Sequence, residues 1–235
     1  MVAKKDEKKP LAAPDRFCHI VLKSTNRDRL QKWYEDALGM RVQHKSSGLT
    51  FMTYDDEHHR IAIAQVPRIF KRPSELQTGL AHFAFAHNTF EDLADAYEAR
   101  KAKGIKPFWC VNHGMTISMY YADPDGNEVE CQVDLLENEE ANAFMAGPDF
   151  SQNPIGVDFE PEEFVRRVRA KLPTSELAPR RPMKRGIEDV PSPGGLPLIV
   201  RVLSTWGSTI IAFAAVATLA WEHQQDIIQL AQLAR

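Results

Sequence analysis

Cysteine is scarce in this chain of 235 residues, and its few thiols are far apart in the sequence. The three cysteines are Cys18, Cys110 and Cys131, an odd number without a close pair. Small secreted domains that depend on disulfides carry many closely spaced cysteines, so this composition excludes a disulfide scaffold. It favours a protein of a reducing compartment, and we expect a cytoplasmic location.

The chain also lacks an excess of charge of one sign. Its formal net charge is −3, with 29 Lys and Arg against 32 Asp and Glu. No basic stripe interleaved with aromatic residues is present, so we expect no nucleic-acid partner. The first ten residues, MVAKKDEKKP, contain no apolar run. We therefore predict a flexible N-terminus over residues 1–11 and no signal peptide.

What the chain does contain is a segment rich in chemically useful groups, residues 111–130 (VNHGMTISMYYADPDGNEVE). Its Asp-Pro-Asp-Gly-Asn run predicts a tight turn, because proline presets the backbone and glycine accepts positive φ. Tyr120 and Glu130 should then lie on the paired strands of one hairpin, with His113 nearby. An imidazole, a phenol and a carboxylate are therefore predicted to converge on one patch of sheet.

The sequence pattern of one segment recurs after about 60 residues. Residues 18–23 (CHIVLK) and 81–86 (AHFAFA) both resemble short strands, and each precedes a helix N-cap signal and an amphipathic helix. The cap residues are Thr25 with Asp28 and Thr89 with Asp92. The two helices are predicted to end at Gly39 and Gly104. This period is longer than the common solenoid repeats and indicates a duplicated βαβββ module.

His19 and His82 occupy matching positions in the two copies. We predict an α+β fold of two paired βαβββ modules, over residues 12–68 and 76–137. Modules that close side by side would bring their first strands together, with both histidines near Glu130. Two imidazoles and one carboxylate form the facial triad of non-haem Fe(II) oxygenases, which leaves open positions for substrate and dioxygen.

The order of the motifs resembles that of the extradiol ring-cleavage dioxygenases. In that family a histidine, then Leu, Met or Phe before Tyr, then Asp-Pro-x-Gly, and then the metal-binding Glu follow one another. His113, Met119-Tyr120, the Asp123-Pro124-Asp125-Gly126 turn and Glu130 fill those positions. Residues 12–136 are also similar to the wider vicinal oxygen chelate superfamily of glyoxalases and bleomycin resistance proteins.

This resemblance, to enzymes of the biphenyl-2,3-diol and catechol 2,3-dioxygenase type, implies ring cleavage of a catechol with dioxygen. The implied cofactor is Fe(II), with Mn(II) as the alternative, held by His19, His82 and Glu130. The implied roles of the surrounding residues are acid–base catalysis by His59, hydrogen bonding to substrate or oxygen by His113 and Tyr120, and substrate contact by Val21 and Phe51. An imidazole suits proton transfer because its ordinary pKa lies near neutral pH.

Two details of this region carry further expectations. Strand alternation would place the rings of His58 and His59 on opposite faces, so that only one points inward. Thr116 stands where biphenyl-diol enzymes carry an acidic residue, which leaves the identity of the catechol open. We also expect the protein to be a homo-oligomer.

Other members of the superfamily offer alternative functions. A glyoxalase-like isomerase takes a fourth protein ligand from the end of the first module, where this chain offers only Gln65. A fosfomycin-type thiol transferase fits no better. A metal-free small-molecule-binding module needs a pocket but no ligands, and metal analysis of the purified protein distinguishes it from the enzymes.

The remainder of the chain is predicted to extend beyond the catalytic domain. Residues 138–172 are expected to pack on the domain, with a helix that begins at Pro161. Residues 173–197 are rich in proline and predict a linker. Residues 198–235 predict a C-terminal helix.

A run without charge lies within that C-terminal helix. The run, 202–221, has about the length that spans a bilayer, and Trp206 and Trp221 lie near its ends, as interfacial tryptophans do. Its first half also contains several serines and threonines. A membrane anchor and a helix docked on protein therefore both remain open.

Overall fold

The computed structural model describes residues 11–72, 79–186 and 189–193. The chain divides into two compact units, each with its own sheet. The described part of the first unit is 11–72, 100–105 and 123–127, and that of the second is 79–99, 106–122, 128–186 and 189–193.

The first unit contains one βαβββ module. Its elements are β1 (Ile20–Ser24), α1 (Arg27–Leu38), β2 (Arg41–Lys45), β3 (Leu49–Thr53) and β4 (Ile61–Gln65). The strand order is β1-β4-β3-β2, with β1 parallel to β4 and the other pairs antiparallel. Helix α1 buries Leu30, Tyr34 and Ala37 on one face.

The ends of α1 follow the sequence signals with one difference. Gly39 ends the helix at a φ of 64°, as predicted. The N-cap is Asn26 and not Thr25, because the Asn26 side chain accepts a hydrogen bond from the Arg29 backbone at 3.2 Å. The side-chain oxygen of Asn26 therefore caps the unpaired backbone N–H groups of the first helical turn, as the Thr25 hydroxyl was expected to do.

The second unit repeats this pattern and adds to it. Its strands are β5 (His82–His87), β6 (Trp109–Asn112), β7 (Thr116–Ala122), β8 (Glu128–Asp134) and β9 (Val157–Asp158), in the order β5-β8-β7-β6-β9. Helix α2 (Phe90–Ala102) follows β5, and the Thr89 hydroxyl accepts from the Asp92 backbone at 3.0 Å, as predicted for its cap. The predicted α+β class and the duplicated module are confirmed.

Between residues 138 and 186, the structure adds four helices to the second unit. These are α3 (Asn138–Met145), α4 (Pro148–Gln152), α5 (Pro161–Arg169) and α6 (Thr174–Leu177). Strand β9 pairs antiparallel with β6, and α5 begins at Pro161 and buries Phe164, Val165 and Val168. Within the segment predicted as a linker, Leu177 and Ala178 are buried.

The hairpin turn between β7 and β8 has the predicted chemistry. Gly126 adopts a φ of 88°, which an L side chain rarely tolerates. Asp123 accepts hydrogen bonds from the backbone N–H groups of Asp125 and Asn127 at 2.8 and 2.9 Å, and from the Tyr34 hydroxyl at 2.9 Å. These bonds satisfy a buried carboxylate and fix the turn that sets the register of the two strands.

Equivalent positions of the two sheets form matching rows of side chains. In the first sheet Phe51 lies opposite Ala62, which lies opposite Val21. In the second, Tyr120 lies opposite Glu130, which lies opposite Ala84. The duplicated sheets therefore carry a carboxylate in the second copy where the first has a methyl group.

The ends of the chain lie outside the described residues. This applies to residues 1–10 of the predicted flexible N-terminus, and to the predicted C-terminal helix at 198–235 with its charge-free run at 202–221. Among the helices of the described residues, none is long and apolar enough to cross a membrane.

Candidate active site

Glu130 and His82 form the centre of the candidate site in the second unit. Glu130 lies on β8 and His82 begins β5, the strand parallel to it. The Nε2 atom of His82 lies 3.1 Å from Oε2 of Glu130. The glutamate side chain is only 6% exposed, whereas that of the histidine is 39% exposed. A buried carboxylate and a solvent-reached imidazole are thus held side by side.

The two groups stabilise each other's charge. The hydrogen bond to Glu130 raises the pKa of His82, although partial burial opposes this effect. Burial acts to raise the pKa of Glu130, but hydrogen bonds from His82 and the buried Ser118 outweigh it and hold that pKa below its usual value. Glu130 is therefore an ionised acceptor near neutral pH, as a metal-binding carboxylate must be.

His113, in the connection that follows β6, and Tyr120, on β7, complete this group. Tyr120 and Glu130 lie on paired strands, as predicted, and the register of β7 and β8 places them directly opposite each other. The His113 Nε2 atom lies 3.0 Å from the Tyr120 hydroxyl and 3.9 Å from Oε1 of Glu130. Burial lowers the pKa of His113, and burial beside Glu130 raises the pKa of Tyr120 well above its usual range. The phenol therefore stays protonated and can donate a hydrogen bond.

Trp109 supports the tyrosine from the neighbouring strand. Its ring stacks on Tyr120 with centroids 4.7 Å apart, and its indole N–H donates to Asp158 on β9 at 2.7 Å. The Tyr120 ring also meets His82 edge-on at 5.2 Å. These contacts hold the phenol between the imidazole and the indole.

The first unit carries a second group of predicted site residues around His59. The His59 ring centroid lies 4.3 Å from that of His19 and 5.1 Å from that of Phe51. Burial and the adjacent His19 and His58 lower the pKa of His59. Val21 lies in the same row as Phe51 and is 56% exposed. The proposed base and both proposed substrate contacts therefore share one face of the first sheet.

The prediction that His58 and His59 face opposite ways is wrong. Residues 54–60 form a loop between β3 and β4, so strand alternation does not apply to them. The two Nδ1 atoms lie 2.5 Å apart, with the ring centroids at 4.5 Å. Asp55 stabilises the loop by accepting three hydrogen bonds from Arg60, at 2.8, 3.0 and 3.3 Å.

The predicted metal triad draws ligands from both units. His82 and Glu130 belong to the second, and His19 belongs to the first. Within the ranges 11–72, 79–186 and 189–193, no group of three or more His, Cys, Asp and Glu side chains is placed to hold one metal ion. The pair in the second unit is assembled, and its completion by His19 stays a prediction.

Gln65, the residue that a glyoxalase-type ligand set would need, has other partners. Its Oε1 atom accepts from the Arg27 backbone at 3.0 Å. Its Nε2 atom donates to the carbonyls of Thr25 and Val66 at 3.1 and 3.0 Å. The side chain thus joins the start of α1 to the end of β4.

Sequence reasoning missed several residues that support His113 and Glu130. Trp109, Ile155 and Arg180 contact His113, Asn153 fixes the loop that carries Ile155, and Ser118 hydrogen-bonds to Glu130. The Asn-Pro-Ile-Gly run at 153–156 is a turn signal that could have been noticed. Its contact with a histidine 42 positions away has no local signature.

Three comparisons with known proteins bear on this arrangement. A family model described as the glyoxalase/bleomycin resistance protein/dioxygenase superfamily matches residues 16–131. Biphenyl-2,3-diol 1,2-dioxygenase 2 of Rhodococcus globerulus is 36% identical over 184 residues, which cover 78% of this chain and 97% of the relative. Biphenyl-2,3-diol 1,2-dioxygenase 3 of the same organism is 38% identical over 167 residues, or 70% of this chain and 88% of the relative.

Among solved structures, a glyoxalase/dioxygenase from Nostoc punctiforme is 16% identical with a TM-score of 0.46. The match covers 55% of this chain and 99% of that one.

Proposed function

Because the chain belongs to the extradiol ring-cleavage dioxygenases of the glyoxalase/bleomycin resistance protein/dioxygenase superfamily, we propose that it opens a catecholic ring with dioxygen at an Fe(II) site. Mn(II) is the alternative metal. The observation that carries the proposal is the grouping of His82, His113 and Tyr120 around the buried carboxylate of Glu130.

The donor atoms of the second unit fit such a metal. Neighbouring ligands of an octahedral ion with bonds of about 2.1 Å lie about 3 Å apart. The separation of the His82 and Glu130 atoms, 3.1 Å, meets this requirement. His19 is the proposed third ligand. An iron ion held by two imidazoles and one carboxylate supplies open positions for a catechol and dioxygen.

The other side chains would handle the substrate and its protons. His59 accepts a proton from a catechol hydroxyl. It can do so because its lowered pKa leaves the ring neutral at physiological pH. Tyr120 remains protonated and donates from its hydroxyl, while His113 Nε2 lies within hydrogen-bonding distance of that hydroxyl. Phe51 and Val21 offer apolar contact to the ring.

The proposed reaction conserves all atoms of both substrates. The carbon–carbon bond beside the diol breaks, and both atoms of dioxygen enter the product. One carbon becomes a carboxylic acid and the other an aldehyde or ketone. The ring-opened product is conjugated and yellow, so visible absorbance reports the reaction directly.

The activity test uses full-length protein loaded anaerobically with Fe(II) and a panel of substituted catechols. We expect visible absorbance to grow with equimolar consumption of dioxygen, and labelled dioxygen to place both atoms in the product. A panel that gives neither absorbance nor oxygen uptake with iron-loaded protein would reject the proposal.

The ligand test measures iron per chain in three variants, His19→Ala, His82→Ala and Glu130→Ala. We expect each to lose stoichiometric iron, because two remaining ligands hold the ion poorly. Asp134→Asn is the matched control, since this exposed carboxylate lies on the same strand as Glu130. Retention of one iron per chain by any two of the three variants would contradict the ligand assignment.

A further inference from the structure

The imidazole of His113 is held on both sides. Its Nδ1 atom lies 2.5 Å from the carbonyl oxygen of Ile155, and its Nε2 atom lies 3.0 Å from the Tyr120 hydroxyl. A carbonyl oxygen can only accept a hydrogen bond, so Nδ1 must carry the hydrogen at that contact. In the neutral ring Nε2 is then a bare acceptor that faces the tyrosine.

The carbonyl of Ile155 belongs to a loop with a fixed shape. Asn153 is buried, and its side chain accepts from the Gly156 backbone at 2.7 Å and donates to the Gly156 carbonyl at 3.0 Å. Gly156 has a φ of 111°, and a Cβ there would lie 2.3 Å from the Asn112 carbonyl. The loop thus lies directly against β6, and any side chain at position 156 would force it away.

Arg180 joins the same loop to the backbone of His113. Its guanidinium donates to the His113 carbonyl and, at 2.7 Å, to the Asn153 carbonyl. It also lies over the Phe144 ring, 5.1 Å from the centroid. Gly114 allows this approach, because a Cβ there would lie 2.4 Å from Phe144 and 2.5 Å from Arg180.

We propose that the loop 153–156 and Arg180 act as a positioning clamp that fixes His113 as its Nδ1–H tautomer. Its Nε2 atom then carries no hydrogen and faces the Tyr120 hydroxyl and the Glu130 carboxylate. The clamp lies in residues 138–186, beyond the βαβββ module that supplies Tyr120 and Glu130. Its catalytic consequence rests on the proposed dioxygenase function, whereas the tautomer itself does not.

A direct test of the tautomer uses ring nitrogen shifts in the metal-free, full-length, ¹⁵N-labelled protein at about pH 8, where a histidine is neutral. His113→Gln identifies the signals of the ring by their disappearance. We expect the chemical shift of Nδ1 to be that of a protonated ring nitrogen and the shift of Nε2 to be that of an unprotonated one. A ring protonated at Nε2 in the native protein would overturn the proposal, whatever the protein catalyses.

The contribution of the clamp is tested with Arg180→Ala. We expect its His113 signals to report a mixture of tautomers, and kcat for the best catechol to fall about 10-fold or more, since small displacements of a reacting group are costly. KM should change less than kcat. Arg180→Lys retains a donor and should recover part of the lost kcat. Arg181→Ala, at the exposed adjacent position, is the control.

The outcomes of these experiments separate the two proposals. Unchanged ring signals and unchanged kcat in folded Arg180→Ala would remove the arginine from the clamp. If the native protein cleaves no catechol, the proposed function fails while the nitrogen shifts still decide the tautomer. Thermal melting of each variant establishes that a lost signal does not come from unfolding.

Discussion

At the scale of single residues, His58 and His59 form a matched pair of neighbouring imidazoles. Both lie in the loop 54–60, but the His58 side chain is 69% exposed and His59 contacts His19 and Phe51. We expect His59→Ala to keep its iron and to cleave catechol about 100-fold more slowly, the usual scale for a lost acid–base group. His58→Ala should stay within about threefold of the native rate.

Single-turnover and steady-state absorbance measurements on the iron-loaded variants check this expectation. Iron content measured on the same samples shows whether a slow variant has merely lost its metal. Native turnover in His59→Ala would transfer the proton-handling role to His58 or His113.

The pairing of the strands that carry Tyr120 and Glu130 could be predicted from the sequence, because the turn chemistry between them is local. The partner of His113 could not. Ile155 contributes a backbone carbonyl, which every residue possesses and which leaves no mark in the sequence. Arg180 is 67 positions from His113, and only the folded chain brings them together.

At the scale of elements, the loop between β3 and β4 depends on Asp55. Hydrogen bonds from Arg60 outweigh burial and hold the pKa of this carboxyl at about 2, below its ordinary value of 3.8. The folded state therefore binds the proton more weakly than the unfolded state. The charged pair stabilises the fold above about pH 4, and this contribution is lost as the pH falls through about 2.

We expect Asp55→Asn to have a lower free energy of unfolding than the native chain at neutral pH, with a gap that narrows below about pH 4. Thermal and urea unfolding across an acid series measure the gap. Asp56→Asn, at the exposed adjacent position, is the control. The effect should be modest because Asp55 and Arg60 are 34% and 23% exposed. A gap that widens towards acid would contradict this sign.

The elements themselves divide into predictable and unpredictable features. The repeated strand and helix pattern was predicted because caps and apolar periodicity act locally. The N-cap of α1 was predicted at Thr25, one residue before its position at Asn26, because both residues carry suitable side-chain oxygens. The relative orientation of His58 and His59 was predicted wrongly because a loop stabilised by Asp55 and Arg60 replaces the expected strand.

At the scale of the whole molecule, the residues proposed to hold the metal, contact the substrate or position His113 all lie at or before Arg180 in the sequence. A chain that ends after Pro193 should therefore keep iron and ring cleavage at close to native rates. The measurement is activity and metal content of the truncated protein beside the full chain. A loss of both would show that the C-terminal residues complete the site.

The same truncation tests the role of the run 202–221. If this run anchors the protein, the full chain should stay with membranes through a carbonate wash and the truncated chain should not. If the run docks on protein, the full chain should appear in the washed supernatant, and truncation should lower the melting temperature or change the oligomeric state.

The backbone contact to His113 has a consequence for how this site tolerates mutation. Position 155 contributes its carbonyl oxygen to His113, an acceptor that every residue carries, while its side chain packs against the cluster of Trp109, Val111 and Tyr120. An insertion or deletion between Asn153 and Gly156 would displace this acceptor. Variation among natural sequences should therefore keep an apolar side chain at 155 and a constant loop length, whereas surface loops usually vary in both.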